Sequence, residues 1–312
     1  MLLYPNCKIN IGLRVIRKRQ DGYHDLETVF YPVYGLHDEL EVTRDLKILI
    51  SHSSNDYLQA NLQRFENSKI DFVQEGIAVD CPEEDNLIIR CYRMMQARFP
   101  QIGPVSIRFK KNIPFGAGLG GGSSDAAHMA IALNELFGLG LSQAELAETV
   151  RPLGADCPFF IYNTPCFAEG IGDRLQPIDF DLSGLRLVLA KPACAVSTRE
   201  AYAGIRLHPE AAGKIGEALR SRRTAREMLQ TSQLLVNDFE QTVFPLHPVI
   251  AETKEHLLGA GALYAAMSGS GSTVFGLFEN DGKRGAMSGT AVTEYETASM
   301  IIFDDTLGER KA

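Results

Sequence analysis

The chain has 312 residues, of which 45% are hydrophobic and 22% charged. This is an ordinary globular composition, and it excludes disorder, collagen and coiled coil as the main state. The 39 acidic and 31 basic residues give a formal net charge of −8, which argues against broad nucleic-acid or membrane-surface binding, because both require a basic face. The six cysteines form no CxxC pair. The N-terminal residues lack the pattern of a signal peptide, and no run reaches the roughly 18 apolar residues of a membrane helix. We therefore expect a cytoplasmic protein with reduced thiols and with neither nucleic acid nor a membrane as a partner.

Strand-like segments dominate the first part of the chain. Alternating and β-branched residues predict strands over 7–15, 28–36 and 40–42, and Asp21-Gly22 predicts the turn after the first of them. Residues 51–74 are polar and only weakly periodic, so we expect a surface excursion there. A helix is predicted from Asp85-Asn86, which can cap it, to about Phe99. Residues 105–109 alternate like a strand.

The most unusual segment is Pro114-Phe115-Gly116-Ala117-Gly118-Leu119-Gly120-Gly121-Gly122-Ser123-Ser124-Asp125, in which five glycines fall within seven residues. The serines and the aspartate are typical helix-capping residues and predict a helix over 126–137. Ser142 and Glu145 form a capping-box pattern that predicts another helix.

In the second half, residues 185–190 are typical of a buried strand, 210–230 of a charged amphipathic helix and 249–258 of a helix. Two strands, over 263–267 and 273–278, flank a Ser-Gly loop at 268–272. Both halves mix strands and helices without steady βαβ alternation, which favours an α+β protein with two domains and a boundary near 160–180.

The glycine segment predicts an anion site. Glycines let a backbone approach a ligand and present several N–H groups, and a following helix N-terminus adds positive partial charge. The spacing of Gly116, Gly118 and Gly121 fits GxGxxG, but the strand and acidic residue of a dinucleotide-binding unit do not follow. A Walker A loop would need a lysine where Gly122-Ser123-Ser124 stands. A protein-kinase loop would lie between two strands.

The segment resembles the second motif of the GHMP kinases, the family of homoserine, mevalonate and galactose kinases. Counterparts of the first and third motifs stand in the same order, at Pro5-Asn6-Cys7-Lys8-Ile9-Asn10 and Met267-Ser268-Gly269-Ser270-Gly271-Ser272. The resemblance implies a two-domain α+β GHMP kinase fold, with an N-terminal ATP-binding domain at 1–165 and a C-terminal ferredoxin-like α/β sandwich at 166–312. It also implies an active site in the cleft between them.

The resemblance implies ATP as co-substrate. The residues that would bind ATP are Pro114, Phe115, Gly116, Ala117, Gly118, Leu119, Gly120, Gly121, Gly122, Ser123 and Ser124. The third glycine loop is Ser268, Gly269, Ser270 and Gly271. Magnesium would arrive with ATP and meet Ser123 or Ser124. No dedicated metal site is expected, because Mg²⁺ keeps several waters and needs few protein ligands.

Three shorter patterns narrow the resemblance: Pro5-x-x-Lys8-x-Asn10-x-x-Leu13, Asp21-Gly22-Tyr23-His24 and Gly154-Ala155-Asp156-x-Pro158. Val196-Ser197-Thr198-x-x-x-Tyr202 also resembles a substrate-pocket segment. They resemble the branch of the family that phosphorylates the 2-hydroxyl of 4-diphosphocytidyl-2-C-methyl-D-erythritol, in the non-mevalonate route to isoprenoids. This likeness implies Lys8 and Asp156 as catalytic residues. It implies a substrate site for a cytidine diphosphate alcohol formed by Asn10, Tyr23, His24, Thr198 and Tyr202. Taken alone, Lys8 would be a surface lysine, Asp156 a turn cap and Asp21-Gly22-Tyr23-His24 an ordinary hairpin.

Two alternatives stay open at this point. One is another small-molecule kinase of the family, for homoserine or mevalonate, whose substrates have no base for Tyr23 and His24 to bind. The other is a non-catalytic nucleotide-binding protein on the same scaffold. Cys7 and Cys157 depart from the family pattern beside the two catalytic candidates, and we interpret both as packing residues. We expect a monomer or a homodimer.

Overall fold

A computed structural model of the protein describes residues 1–44, 70–78, 81–221, 224–230, 234–280, 291–295 and 298–307. Its strands are β1 (Leu2–Leu3), β2 (Asn6–Lys18), β3 (His24–His37), β4 (Glu39–Arg44), β5 (Ile70–Gly76), β6 (Val105–Lys111), β7 (Cys166–Glu169), β8 (Arg174–Pro177), β9 (Leu185–Pro192), β10 (Tyr264–Met267), β11 (Val274–Glu279), β12 (Ala291–Tyr295) and β13 (Ala298–Thr306). Its α-helices are α1 (Leu87–Arg98), α2 (Gly121–Leu136), α3 (Gln143–Val150), α4 (Cys157–Tyr162), α5 (Thr198–Tyr202), α6 (Lys214–Arg220), α7 (Ala225–Gln230), α8 (Glu240–Leu246) and α9 (Pro248–Gly259).

The chain forms two compact units made of interleaved segments. The first unit contains Met1–Asn6, His37–Pro114 and Gly121–Tyr162. The second contains Cys7–Leu36, Phe115–Gly120 and Asn163–Ala312. The division into domains at 1–165 and 166–312 stays a prediction. It refers to two consecutive parts of the chain, whereas these units are made of interleaved segments.

In the first unit, four strands form a sheet in the order β1-β4-β6-β5. Strands β4 and β6 are antiparallel, whereas β5 runs parallel to β6. Helix α2 packs against α1 and α4. Its small residues Ala126, Ala127, Ala130 and Ala132 are fully buried, and such small side chains allow neighbouring helices to approach closely.

The second unit contains a sheet with the order β2-β3-β7-β8 and another with the order β10-β11-β9-β13-β12. Strand β2 is buried on both faces from Asn6 to Leu13, so alternate side chains that would ordinarily reach solvent point into protein. Strands β10 and β11 form an antiparallel hairpin, and Met267 pairs with Val274 across it. The Ser-Gly loop at 268–272 is the connection of this hairpin.

Most predicted elements are confirmed. Asn86 caps α1 through its side chain, which accepts a hydrogen bond from the Ile88 N–H at 2.9 Å. The capping box of Ser142 and Glu145 is present at the start of α3. The strand at β9, the helix at α9 and the two strands of the Ser-Gly hairpin also form where the sequence indicates them.

Three predictions are wrong in part. Helix α2 begins at Gly121, so Ser123, Ser124 and Asp125 lie inside its first turns and do not cap it. The single helix over 210–230 is broken into a 3₁₀ turn, α6 and α7, because Thr224 and Glu227 form a reciprocal cap that starts α7 anew. Strand β5 (Ile70–Gly76) begins within the surface excursion predicted at 51–74, and residues 51–69 lie outside the described part of the chain.

Candidate active site

Lys8 is an interior lysine rather than a surface one. Its side chain is on β2 and the residue is only 4% exposed. The amine donates a hydrogen bond to Oδ1 of Asn10 and lies 4.8 Å from the centroid of the Phe30 ring. Burying an ammonium is costly unless it is paired, and a cation above an aromatic face recovers part of that cost. A lysine kept under these conditions is a candidate for chemistry.

The glycine segment meets the strand that carries Lys8. Within the second unit, the Lys8 N–H donates to the carbonyl oxygen of Leu119 at 3.0 Å. Leu119 and Ala117 are each 3% exposed, so these two buried apolar side chains anchor the loop. Phe115, by contrast, is 61% exposed, and Gly116 is also exposed.

The second and third glycine loops are joined to each other. The Ser268 hydroxyl donates to the Gly118 carbonyl oxygen at 2.9 Å, and the Thr273 N–H donates to the Ala117 carbonyl oxygen at 3.3 Å. Gly118 has a φ of +74°, and a Cβ at this position would lie 2.0 Å from the Ser268 carbonyl oxygen. Only glycine fits here, both for its backbone conformation and for the space available.

Asn10 connects the strand to the same cluster. Its backbone N–H donates to the Ser268 hydroxyl at 3.3 Å, and its side-chain amide donates to the Thr28 hydroxyl at 3.2 Å. The residue is 2% exposed. Lys8, Asn10, Gly118 and Ser268 therefore belong to one hydrogen-bonded cluster within the second unit.

The rest of the glycine motif opens helix α2 in the first unit. A Cβ on Gly121 would lie 2.9 Å from the Ile113 side chain and 3.0 Å from the Lys111 amine, so the helix start is held close to strand β6. Ser124 is fully buried, and its hydroxyl lies 3.4 Å from Nδ1 of His128. Ser123 is only half-buried.

The turn that carries Asp156 lies beside Ser123 in the same unit, since a Cβ on Gly154 would lie 3.5 Å from the Ser123 hydroxyl. Asp156 immediately precedes α4 and is half-buried. The Cys157 N–H donates to the Gly154 carbonyl at 3.1 Å, and the Ser123 side chain forms a hydrogen bond with the Cys157 thiol. Burial raises the pKa of Cys157 to about 12, although the bond to Ser123 lowers it. The turn that carries Asp156 is thus next to the first turn of α2.

Each catalytic candidate is placed by a contact with the glycine segment inside its own unit. Lys8 contacts it at Leu119 in the second unit, and the Asp156 turn contacts it at Ser123 in the first. Carboxylate, ammonium and a glycine-rich backbone are the groups that phosphoryl transfer to an alcohol requires.

A buried ionic group supports the first unit below the glycine motif. The Lys111 amine donates to Asp38 and, at 2.8 Å, to Asp125. Oδ1 of Asp38 accepts from the N–H groups of Asn112 and Ile113, the latter at 2.8 Å. Burial acts to lower the pKa of Lys111, but Asp125 and Asp38 raise it above its ordinary value. Burial raises the pKa of Asp125 well above its usual range, and Lys111 offsets part of that rise.

Of the candidate base-binding residues, His24 and Tyr202 contact each other, whereas Tyr23 is exposed. The rings of His24 and Tyr202 are stacked, with centroids 4.6 Å apart and planes 18° apart, and Tyr202 packs edge-on against Phe239 at 4.7 Å. Burial lowers the pKa of His24, and the nearby charge of Lys18 lowers it further. Tyr23 is 61% exposed.

Thr198 connects the base-binding segment to the third glycine loop. The residue is exposed, at the start of α5, and its hydroxyl lies 3.4 Å from the Ser270 hydroxyl. The structure thus brings Thr198 beside the third glycine loop and Tyr202 beside His24, all within the second unit.

Sequence reasoning missed the buried polar residues behind the loops. Asn237 contacts the third glycine loop through its amide, Thr28 contacts Asn10, and Lys111 and Asp38 form the buried ionic group with Asp125. One signal was available, because Asn237-Asp238 interrupts an apolar run, and polar groups in such a run are buried only with partners. The other positions carry no local signal.

Two absences concern the described residues only. No group of three or more His, Cys, Asp and Glu side chains among them is arranged to hold a metal ion. No helix formed by these residues has the length and apolar character needed to cross a membrane.

Comparison with known proteins identifies the family. Residues 86–164 match the GHMP kinases N terminal domain, and residues 215–290 match the GHMP kinases C terminal domain. A protein of Bacteroides thetaiotaomicron named 4-diphosphocytidyl-2-C-methyl-D-erythritol kinase is 45% identical over 90% of this chain and 93% of its own. One of the same name from Bacteroides fragilis is 46% identical over 95% of this chain and 99% of its own.

Solved structures agree. A crystal structure of 4-(cytidine 5'-diphospho)-2C-methyl-D-erythritol kinase superimposes with a TM-score of 0.65 at 32% identity, over 89% of this chain and 90% of that one. Homoserine kinase from Cytophaga hutchinsonii, with a TM-score of 0.63 at 17% identity over 81% and 80% of the two chains, shares the fold. The chain therefore belongs to the GHMP kinases and, within them, to the family of 4-diphosphocytidyl-2-C-methyl-D-erythritol kinases.

Proposed function

We propose that the protein transfers the γ-phosphoryl group of ATP to the 2-hydroxyl of 4-diphosphocytidyl-2-C-methyl-D-erythritol, a step in the non-mevalonate route to isoprenoid precursors. The observation that carries this proposal is a pair of contacts with the glycine segment, one in each unit: the Lys8 N–H donates to the Leu119 carbonyl in the second unit, and the Asp156 turn contacts Ser123 in the first. The likeness to named relatives over nine-tenths of the chain supports the choice of substrate.

Each group has a distinct part in this mechanism. Backbone N–H groups from Gly116 to Gly122 and the N-terminus of α2 bind the phosphates of ATP. The 2-hydroxyl oxygen attacks the γ-phosphorus, its proton passes to the Asp156 carboxylate, and ADP leaves. The Lys8 ammonium stabilises negative charge between the acceptor oxygen and the transferring group. The transition state is loose, so positioning and charge stabilisation account for most of the acceleration.

Magnesium would accompany ATP and neutralise charge on its phosphates. The donor set at the start of α2 fits Mg²⁺, because serine hydroxyls are hard oxygen ligands and few protein ligands are needed. Of the two serines, Ser123 is the better candidate. Ser124 is fully buried beside His128, whereas Ser123 is half-buried.

The cytosine would be bound by aromatic residues at and just before the start of β3 and in α5. Tyr202 offers a face for stacking, His24 offers a hydrogen-bonding edge, and exposed Tyr23 can close over the base. Asn10 and Thr198 would contact the remainder of the substrate. A homoserine or mevalonate kinase has no base to bind, so this aromatic group favours the cytidine substrate.

The test is a substrate comparison. The purified protein is incubated with Mg-ATP and 4-diphosphocytidyl-2-C-methyl-D-erythritol, and ADP and the phosphorylated product are followed. Mevalonate and homoserine serve as controls. We expect turnover of the cytidine substrate alone, and preference for either control would overturn the proposal.

A further inference from the structure

The third glycine loop is held at its base by a buried asparagine. Asn237 is fully buried. Its Nδ2 donates to the carbonyl oxygens of Met267 at 2.6 Å and Gly269 at 2.8 Å, and its Oδ1 accepts from the Phe239 N–H at 3.0 Å. Both N–H groups of the amide are thus used on the loop, on either side of Ser268.

The asparagine is itself fixed on strand β2. The Leu13 N–H donates to the Val236 carbonyl at 2.9 Å, and the Asp238 N–H donates to the Leu13 carbonyl at 2.8 Å. The Asp238 carboxylate accepts from the Val15 N–H at 2.7 Å. Because its two neighbours are bonded to β2, Asn237 has a defined position relative to Lys8 and Asn10 on the same strand.

A second side chain from the same stretch completes the attachment. Glu240 accepts a hydrogen bond from the Met267 N–H at 2.9 Å, and its other oxygen accepts from the Lys254 amine at 2.6 Å. Met267 is therefore held at both its N–H and its carbonyl. Its conformation determines where Ser268, the next residue, directs its hydroxyl towards Gly118.

We propose that Asn237 is a positioning residue for nucleotide binding: its amide fixes the third glycine loop so that Ser268 ties this loop to Gly118 of the second. The inference rests on the proposed function in one respect, namely that the two glycine loops bind ATP. It adds that the geometry of this loop depends on a fully buried side chain outside the glycine motifs.

A neighbouring residue provides an internal contrast. Phe239, two positions after Asn237, packs edge-on against Tyr202, which stacks on His24. The same short stretch therefore supports the nucleotide loop through Asn237 and the candidate base pocket through Phe239. If the stretch had only a structural role, substitutions at Asn237 and Phe239 would weaken binding of both ligands alike. The positioning role predicts that each substitution weakens binding of a different ligand.

The experiment compares Asn237→Ser, Phe239→Leu and a control, Asn134→Ser. Asn134 makes a similar pair of bonds, donating to the Leu141 carbonyl at 3.0 Å and accepting from its N–H at 2.9 Å, but it lies at the far end of α2 from the glycines. Binding of Mg-ADP and of 4-diphosphocytidyl-2-C-methyl-D-erythritol is measured by calorimetry, and KM and kcat are measured for both substrates.

We expect Asn237→Ser to weaken Mg-ADP binding by about tenfold or more, since two hydrogen bonds are lost, with cytidine substrate binding changed less than about twofold. Phe239→Leu should weaken binding of the cytidine substrate and change Mg-ADP binding less than about twofold. Asn134→Ser should change neither affinity. Unaltered Mg-ADP binding in Asn237→Ser, or equal weakening of both ligands, would overturn the inference.

Folding is measured in parallel by thermal unfolding. Asn237→Asp, which keeps the volume and removes the amide donors, is the second variant. Loss of the folded state in both variants would assign Asn237 to folding and would also overturn the inference. The proposed function fails separately: a wild-type protein that binds Mg-ADP but does not turn over the cytidine substrate leaves the comparison of variants fully readable.

Discussion

The Ser268 hydroxyl and the Gly118 carbonyl oxygen, 150 positions apart in the chain, are joined by a hydrogen bond of 2.9 Å. This bond unites the two glycine loops of the second unit, and the Ser268 carbonyl oxygen approaches so closely that it leaves no room for a side chain at Gly118. We therefore expect Gly118→Ala to damage nucleotide binding severely, because the added Cβ would lie 2.0 Å from the Ser268 carbonyl oxygen.

The matched control is Gly116→Ala in the same loop. Gly116 also has a positive φ, +62°, but a Cβ there meets nothing within 4 Å. The free-energy cost of Gly116→Ala should be limited to the backbone strain of a non-glycine residue at positive φ, about 1–2 kcal/mol. Titration with Mg-ADP measures both variants, and similar losses in the two would contradict the role of the Ser268 contact.

The catalytic assignment predicts large losses of turnover without loss of fold. Asp156→Asn removes the proton acceptor and Lys8→Ala removes the buried cation, so kcat should fall about 10²- to 10⁴-fold in each. Asp181→Asn, a change at an exposed turn whose carboxylate accepts from the Ser183 N–H, should leave kcat unchanged. Near-wild-type turnover in either test variant would remove that residue from the mechanism.

The buried ionic group predicts a sharp difference between two adjacent lysines. Lys111→Met leaves Asp38 and Asp125 without their buried cation, and the free energy of unfolding should fall by about 3–5 kcal/mol. Lys110→Met breaks only an exposed pair with Glu39 and should change stability little. Urea unfolding measures both, and equal effects would show that the buried group does not stabilise the first unit.

His128 predicts a pH dependence of stability. Burial lowers the pKa of this histidine below its ordinary value of 6.5, although Ser124 and Asp38 act in the opposite direction. Below about pH 6.5 the unfolded chain therefore takes up a proton at this position that the folded chain resists. Stability from this group is fully present above that pH and is lost as the pH falls.

His128→Gln should accordingly flatten the decline of the free energy of unfolding between about pH 7 and pH 5. His256→Gln, at an exposed position on α9, should leave the decline as it is in the wild type. Urea unfolding at several pH values gives the slope, and parallel curves for wild type and His128→Gln would contradict the prediction.

The aromatic stack predicts a loss confined to one substrate. Tyr202→Leu removes the ring that stacks on His24, and stacking on a base contributes about 1–3 kcal/mol. The KM for the cytidine substrate should rise about tenfold or more, with the KM for ATP unchanged. Tyr202→Phe keeps the ring and should retain most of the affinity. A rise in the KM for ATP alone would contradict the assignment of Tyr202 to the base-binding site.

Local signals in the sequence predicted most elements and the segments of the site, but not the contacts between them. Asn86 and the Ser142–Glu145 capping box act on their own helices, so their patterns suffice. The contact between Ser268 and Gly118 depends on tertiary pairing and leaves no periodic trace. Helix α2 begins earlier than its serines suggest, at Gly121, which lies close to the side chains of Ile113 and Lys111.

Buried polar residues were the main omission, for a physical reason. Whether Asn237 or Lys111 lies inside depends on partners brought from distant parts of the chain, and neither the residue type nor its neighbours in sequence specify them. Lys8 illustrates the same point in reverse, because only the burial of both faces of β2 distinguishes it from a lysine on an edge strand.

The pairing of β3 with β7, in which Thr28 lies opposite Ala168, bears on how the protein is made. On the ribosome, the early hairpin of β2 and β3 emerges long before the strand that completes its sheet. Its apolar faces stay exposed to solvent while the intervening residues are synthesised. Such delayed long-range pairing slows folding and exposes nascent chains to aggregation. Slower translation before residue 166 would lengthen that exposure, and chaperone capture of the nascent chain should peak in the same interval.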